Sequence, residues 1–242
     1  MIRATLVYVF VAVYVLVLGP IAIVWIWLAR DARFAYAAAR LCVRIAGLLC
    51  GVRVRVRGRE KLRPDCNYFF LSNHQGNFDA PVLLYAIPGD VRAVIKQEMM
   101  RIPVLSLLMR QVGFVPIDRT DPKRARLQIE RAVTLLRGGY SFIAFPEGTR
   151  TRDGRLGPFK RGVFAMALAA GAPVVPVTIL HSRAIQPPGR YGIRPGVIEL
   201  VFHDPIPTER TPSEGRERLM ELTRAAIASA LEEEESAPIR EI

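Results

Sequence analysis

The stretch YFFLSNHQGNFDAPVLLYA, residues 68–86, joins two apolar runs through a short polar segment. Residues 68–71 have the length and composition of a buried strand, and residues 80–86 read as an apolar helix. The polar segment between them therefore lies where a strand ends, which is a usual place for ligand sites in open α/β sheets. It carries Asn73, His74 and Asp79.

His74 and Asp79 are five positions apart, on a turn that leads into a helix. The carboxylate can then accept a hydrogen bond from one imidazole nitrogen, and the other nitrogen faces outward as a base. Imidazole titrates near pH ~6.5, which suits general-base chemistry. A second interpretation stays open, in which Asp79 only caps the helix and His74 is a polar loop residue, because one H-x-x-x-x-D pattern is a weak signal.

Strand-like runs and helical patterns alternate along the rest of the chain. The strand-like runs cover residues 52–57, 91–95, 113–117, 141–145, 174–179 and 197–202. The helical patterns cover residues 122–137, 162–170 and 211–235. This alternation predicts an α/β fold with a largely parallel sheet flanked by helices. Pro176 interrupts one apolar run and predicts an edge strand or a bulge there.

The N-terminal segment is apolar, since residues 4–29 carry no charge. As one helix it would exceed the ~30 Å hydrocarbon core of a bilayer. Gly19 and Pro20 lie inside it and predict a kink or a break. Trp25 and Trp27 stand where a cleavable signal peptide would need small residues, so the segment is predicted to be a retained membrane anchor.

Two topologies stay open for this anchor. It can span the inner membrane, with its Arg-rich flank and the following domain on the cytoplasmic face by the positive-inside rule. Alternatively it can break at Gly19-Pro20 and pack with a helix over residues 31–50 in one leaflet. In both cases the remainder of the chain lies against a bilayer.

The charge of the chain predicts an anionic partner. The formal net charge is +12 and the pI is about 10.3, which fits nucleic acid, an anionic membrane surface or a phosphorylated substrate. The three cysteines form no C-x-x-C pair and the three histidines lie far apart. A disulfide framework and a metal site are therefore not expected.

Residues 145–150, FPEGTR, follow another predicted strand. Arg150 offers a guanidinium fork that matches a phosphate group, and Gly148 permits close approach of the backbone. Thr149 offers a hydroxyl, and Glu147 can orient Arg150 or a substrate hydroxyl. The alternative for this stretch is a turn with a surface salt bridge.

Two further basic residues close predicted strands. Lys96 follows residues 91–95, and Arg119 ends the stretch GFVPIDR, residues 113–119. Either side chain can reach a phosphate from there, although a strand-end Lys is commonly exposed to solvent. The last stretch, VPV at residues 175–177, contributes shape and no chemistry.

Taken in order, these four stretches resemble the four sequence blocks of the glycerolipid acyltransferases, in particular the bacterial 1-acyl-sn-glycerol-3-phosphate acyltransferases. The block N-H-x-x-x-x-D is matched by Asn73, His74 and Asp79, and FPEGTR is matched without departure. The resemblance covers about residues 50 to 205. It implies two parts, N-terminal membrane-anchoring helices over residues 1–50 and an acyltransferase domain over residues 51–242.

The resemblance also implies roles for individual residues. His74 is implied as the catalytic base and Asp79 as its partner. The implied ligands of the substrate phosphate are Arg150, Lys96 and Arg119. The implied pocket-shaping residues are Asn73, Glu147, Gly148 and Thr149.

The implied reaction moves a fatty acyl group from acyl-CoA or acyl-carrier protein to the sn-2 hydroxyl of 1-acyl-sn-glycerol 3-phosphate, giving phosphatidic acid. It implies no metal, no organic cofactor and no nucleic-acid partner. Three alternatives stay open: an acyltransferase for glycerol 3-phosphate or another lysophospholipid, a hydrolase of the same thioester or lipid, and a non-catalytic basic protein that binds anionic membranes or nucleic acid.

Overall fold

The computed structural model describes residues 1–118, 121–208 and 214–236 of the chain. Within these ranges seven strands form one sheet. The strands are β1 (Val52–Arg57), β2 (Phe69–Ser72), β3 (Val91–Lys96), β4 (Val115–Ile117), β5 (Ser141–Ala144), β6 (Val174–Leu180) and β7 (Gly196–Phe202). Their order is β1-β7-β6-β2-β5-β3-β4. Every neighbouring pair is parallel except β6 with β7, which confirms the predicted largely parallel sheet.

Helices cover both faces of the sheet. They are α1 (Ile2–Ala29), α2 (Arg33–Cys50), α3 (Asp79–Ala86), α4 (Pro103–Gln111), α5 (Pro122–Arg137), α6 (Arg161–Ala170), α7 (Ser182–Ile185) and α8 (Glu214–Ser236). One apolar core joins α1, α2 and α3 to the sheet, and a second core joins α5, α6 and α8 to its other face. Along β2, Phe70 lies in the first core, whereas Phe69 and Leu71 lie in the second. A strand buried on both faces reads as a continuous apolar run.

The α1 helix runs without interruption through Gly19 and Pro20, so the predicted break is wrong. The absence of a side chain at Gly19 allows α4 to approach, because a Cβ at this position would lie 2.6 Å from Cγ1 of Val104. The α1 helix packs against α2, a contact that only the one-leaflet alternative included, and the Tyr14 hydroxyl donates to the carbonyl of Ala38 at 2.9 Å. By length and composition α1 is able to cross a membrane.

Pro176 lies in an internal strand, since β6 has β7 on one side and β2 on the other. The predicted edge position is therefore wrong. The alternative, a bulge, is present in the segment that faces it. The N–H of His203 donates to the carbonyl of Pro176, and Ile206 pairs with Val174. The segment after β7 therefore has one residue more than the part of β6 that it faces, as in a β-bulge. The hydrogen-bond ladder is irregular at the position where Pro176 lacks an N–H.

Candidate active site

The Asp79 carboxylate organises the loop between β2 and α3. Asp79 is fully buried, and its Oδ2 accepts the N–H groups of Gln75 at 2.6 Å and Gly76 at 2.8 Å. The same oxygen lies 2.7 Å from Nδ1 of His74. Because an oxygen with three partners acts as an acceptor for each, we assign the proton to Nδ1, which leaves Nε2 as the acceptor nitrogen of the ring.

The imidazole and main chain of His74 are held by the segment that follows β5. The ring stacks on Phe145, with centroids 3.9 Å apart and planes inclined by 15°. The His74 carbonyl accepts the N–H of Thr151 at 2.9 Å. The side chain keeps 21% of its surface exposed, so the ring is fixed in orientation and remains accessible.

Glu147 ties the two loops together. This buried carboxyl accepts the N–H of His74 on Oε1 at 2.8 Å and the N–H of Gly157 on Oε2 at 2.9 Å. Burial raises the pKa of Glu147, and the two N–H donors offset part of that rise. Both oxygens contact main-chain groups, and neither is the hydrogen-bond partner of Arg150. The sequence-based expectation that Glu147 orients Arg150 is thus not met by the geometry.

Arg150 instead contacts the loop that carries His74. Its guanidinium donates to Oδ1 of Asn77, and both Arg150 and Thr149 are exposed. Gly148 has φ +74°, a backbone conformation that L side chains rarely adopt. The glycine therefore permits the turn that brings Arg150 beside residues 75–78. The FPEGTR stretch and the H-x-x-x-x-D stretch meet at the carboxyl ends of β5 and β2.

The remaining predicted site residues are placed differently. Asn73 is fully buried and bonds to β6. Lys96 ends β3 at the same edge of the sheet, where it is exposed and pairs with Glu98 at 3.0 Å. Within the described ranges no hydrogen bond or ion pair joins Lys96 to His74 or Arg150. Arg119 lies outside the described residues.

The sequence interpretation missed a set of contacts around Asn77. The N–H of Asn77 donates to the carbonyl of Gln186 at 3.2 Å, and the Gln186 side chain donates to the hydroxyl of Tyr8 in α1. Asn77 could have been found, since it lies in the polar loop. Nothing in residues 182–186 marks them as neighbours of that loop, because the contact depends on how β6 and β2 pair.

A cavity of about 560 Å³ opens on the side of Glu147 that faces Gly157. The lining residues are Glu147, Gly148, Thr149, Thr151, Asp153, Arg155, Leu156, Gly157, Pro158 and Lys160. Two of them, Glu147 and Thr151, bond the main chain of His74, so the cavity lies directly against the loop that carries the imidazole. Among the described residues no cluster of His, Cys, Asp or Glu has the composition of a metal site.

Comparisons with known proteins identify the family of the chain. The Acyltransferase family model matches residues 53–180, more than half of the chain. The chain is 38% identical to the chloroplastic 1-acyl-sn-glycerol-3-phosphate acyltransferase BAT2 of Brassica napus over 62% of this chain and 44% of that protein. It is 29% identical to the 1-acyl-sn-glycerol-3-phosphate acyltransferase of Borreliella burgdorferi over 62% of this chain and 60% of that protein. The chain spans about half the length of the curated relatives it matches.

The fold is also similar to that of a solved bacterial structure. The crystal structure of the 1-acyl-sn-glycerophosphate (LPA) acyltransferase PlsC from Thermotoga maritima superposes with a TM-score of 0.85 at 27% sequence identity. The match covers 99% of this chain and 97% of that one, so it includes α1 and α2 as well as the sheet. By sequence and by fold, this chain belongs to the acyltransferase family.

Proposed function

We propose that this protein is a 1-acylglycerol-3-phosphate O-acyltransferase, which moves a fatty acyl group from an acyl thioester to the sn-2 hydroxyl of 1-acyl-sn-glycerol 3-phosphate. The observation that carries the proposal is the 2.7 Å contact between His74 Nδ1 and the buried Asp79 carboxylate, beside the exposed guanidinium of Arg150. A base in a fixed tautomer next to a phosphate ligand fits a phosphate-bearing alcohol.

The proposed reaction is a direct displacement. Nε2 of His74 takes the proton of the acceptor hydroxyl, whose oxygen attacks the thioester carbonyl carbon, and a C–O bond forms. The C–S bond then breaks, and the departing thiolate takes the proton back from the imidazolium. Asp79 fixes the ring and stabilises the imidazolium between these steps. Much of the rate acceleration comes from holding the two substrates together.

The environment of Ser72 supports a reaction without a covalent acyl-enzyme. Ser72 precedes the catalytic loop, is fully buried, and donates its hydroxyl hydrogen bond to the carbonyl of Asn73 at 3.2 Å. It is thus paired inside the protein, whereas a serine nucleophile needs a base as its hydrogen-bond partner.

The acceptor phosphate is proposed to bind at the carboxyl edge of the sheet. Arg150 is the central ligand, because its planar fork can engage two phosphate oxygens. Lys96 lies at the same edge, and its ammonium group can leave Glu98 and pair with the substrate phosphate instead. Arg119 is the third proposed ligand. The acyl thioester, from acyl-CoA or acyl-carrier protein, is a co-substrate, and the steps above call on no metal or organic cofactor.

The membrane is proposed as the source of the acceptor lipid. The apolar α1 and the adjoining α2 would anchor residues 1–50 to the inner membrane, and the acyltransferase domain from residue 51 onward would lie on the cytoplasmic face. Trp25 and Trp27 of α1 are both exposed, as expected for side chains at a membrane interface.

Incubation of the purified protein with labelled lysophosphatidic acid and a panel of acyl thioesters tests the proposal. We expect labelled phosphatidic acid, and we expect His74→Ala to lower kcat by about 10²–10⁴-fold. His181→Asn is a matched control, because asparagine tolerates the φ of +66° found there. Three outcomes would each contradict the proposal. They are transfer only to glycerol 3-phosphate or another lysophospholipid, release of free fatty acid without acceptor, and full activity of His74→Ala.

A further inference from the structure

The cavity on the Gly157 side of Glu147 contains two cationic side chains that the proposed chemistry does not use. Arg155 and Lys160 line it and are exposed. Among the described residues the ion pairs involve other side chains. The Asp153 carboxyl lies near Arg155, and hydrogen bonds from Thr151 and the Arg155 N–H, with the charge of Arg155, lower its pKa. Two exposed cations that line a concavity of this size are suited to an anionic ligand.

The two acidic groups of the same cavity accept hydrogen bonds from the protein itself. Asp153 uses Oδ1 to accept the Thr151 hydroxyl at 2.7 Å and the N–H of Arg155 at 3.0 Å. Glu147 uses both oxygens on main-chain N–H groups. Glu147 is thus part of the wall, and the exposed charges of the lining are the two cations, Arg155 and Lys160, and the single carboxylate of Asp153.

The guanidinium of Arg150 is not part of the cavity, although the cavity is lined by its two chain neighbours, Thr149 and Thr151. Arg150 does not line the cavity, because its guanidinium turns to Asn77. The cavity is lined by residues from the 147–160 segment. Glu147 connects this segment to the His74 loop, because Oε1 accepts the N–H of His74 and Oε2 accepts the N–H of Gly157. A displacement reaction needs two substrates to reach the same imidazole, and the structure offers two separate cationic groups near its loop, Arg150 and the pair in the cavity.

The position of the cavity also separates it from α1. The carbonyls of Leu156 and Gly157 accept hydrogen bonds from Arg224 of α8 at 2.9 and 2.7 Å, and Lys160 directly precedes α6. The α1 helix, in contrast, packs mainly on α2 and α4. A ligand entering over Arg155 and Lys160 thus comes from the side away from the apolar helix, which favours a water-soluble molecule over a membrane lipid.

We propose that this cavity binds the phosphate of the 4′-phosphopantetheine arm of the acyl donor. That arm is the chemistry shared by acyl-CoA and acyl-carrier protein, and it carries the thioester at its far end. The assignment rests on the proposed acyl transfer and adds to it the side from which the donor enters. Arg155 and Lys160 hold the phosphate, and the thioester reaches towards His74 past Glu147.

Steady-state kinetics with each substrate varied in turn test the site. The variants are Arg155→Gln, Lys160→Gln and the double variant, assayed with palmitoyl-CoA and separately with palmitoyl acyl-carrier protein. We expect the donor KM to rise about fivefold for each single change and more for the double change, with the KM for lysophosphatidic acid and kcat within about twofold. A rise with both donors supports the shared phosphate. A rise with palmitoyl-CoA alone would point to the phosphates of the nucleotide and would overturn the assignment to the arm.

Arg152→Gln is the matched control, because Arg152 has the same charge in the same segment and does not line the cavity. It should leave both KM values unchanged. A rise in the lysophosphatidic acid KM, or an unchanged donor KM in the double variant, would overturn the assignment.

A binding measurement separates failure of this site from failure of the proposed reaction. Free CoA is titrated into the His74→Ala protein, with and without Arg155→Gln and Lys160→Gln, and heat is recorded. We expect binding that weakens at least fivefold in the triple variant. Absence of turnover in the unmodified protein refutes the acyl transfer itself, whereas turnover with CoA affinity independent of the two cations refutes only this site.

Discussion

Asn73 pairs with the main chain of Ile179 through both ends of its side-chain amide. Nδ2 donates to the Ile179 carbonyl at 2.9 Å, and Oδ1 accepts the Ile179 N–H at 2.7 Å. The register of β2 with β6 ends at Ser72 opposite Val177, so the amide continues the ladder by one more step. The loop that carries His74 therefore starts from a point fixed against the centre of the sheet.

Asn73→Ala should destabilise the protein by about 1–3 kcal/mol, because it leaves the N–H and carbonyl of Ile179 buried without partners. Thermal unfolding in detergent measures the change. Asn67→Ala is the control. Asn67 is exposed, so this substitution should change the free energy of unfolding by no more than about 0.5 kcal/mol. Equal melting temperatures for the two variants would show that the Asn73 amide does not secure the loop.

Asp79→Asn should leave a folded protein with little activity. The amide oxygen can still accept the N–H groups of Gln75 and Gly76, but a neutral side chain does not stabilise the imidazolium of His74. We expect kcat to fall about 10²-fold or more with a modest change in acceptor KM. Retention of most of the activity by a variant with unaltered melting behaviour would remove the carboxylate from the mechanism.

Gly76→Ala should impair catalysis through sterics alone. A Cβ at Gly76 would lie 2.7 Å from the carbonyl oxygen of Ser182, and that oxygen belongs to the backbone of α7. The loop with His74 must then shift, and we expect kcat to fall at least tenfold. Gly162→Ala is the comparison, because a Cβ there meets nothing within 4 Å; it should keep activity and stabilise α6 by up to about 1 kcal/mol.

The stability of the protein should depend on the ionisation of His203. Burial, and then the positive charge of Lys61, lowers the pKa of this imidazole, while Asp204 and Glu233 act in the opposite direction. Its Nε2 lies 2.8 Å from the hydroxyl of Thr178. A lowered pKa means that the folded state binds fewer protons than the unfolded state below about pH 6.5. The associated stability is present above that pH and is lost as the pH falls.

Melting temperatures of the unmodified protein and of His203→Gln, recorded between about pH 8 and pH 5, check this dependence. The unmodified protein should lose more stability on acidification than the variant. Parallel curves for the two proteins would mean that His203 makes no contribution to the acid sensitivity.

Most of the sheet could be predicted from the sequence, because each strand is a short apolar run bounded by turn residues. All seven predicted strands are present, with bounds that differ by at most two residues. The contact of His74 with Asp79 could be predicted as well, since it forms within one turn. The catalytic and binding roles of the predicted residues remain predictions.

The errors came from interactions over long distances in the chain. Pro176 favoured an edge strand in the sequence interpretation. The bulge in the facing segment allows the proline, which has no N–H to donate, to lie in an internal strand. Gly19 and Pro20 argued for a break, yet packing of α4 against Gly19 supports a continuous helix. The α4 and α7 helices were missed, because the first has few helical turns and the second has one turn that depends on its neighbours.

The contact of Tyr8 with Gln186, and of Gln186 with Asn77, has a consequence for how a lipid would reach the site. Where α1 enters a bilayer, as we propose, these hydrogen bonds set the height of the catalytic loop relative to the lipid headgroups. A lysolipid must then arrive by lateral diffusion at one fixed depth. Turnover should accordingly vary with bilayer thickness, since a thinner or thicker leaflet displaces the hydroxyl from the imidazole.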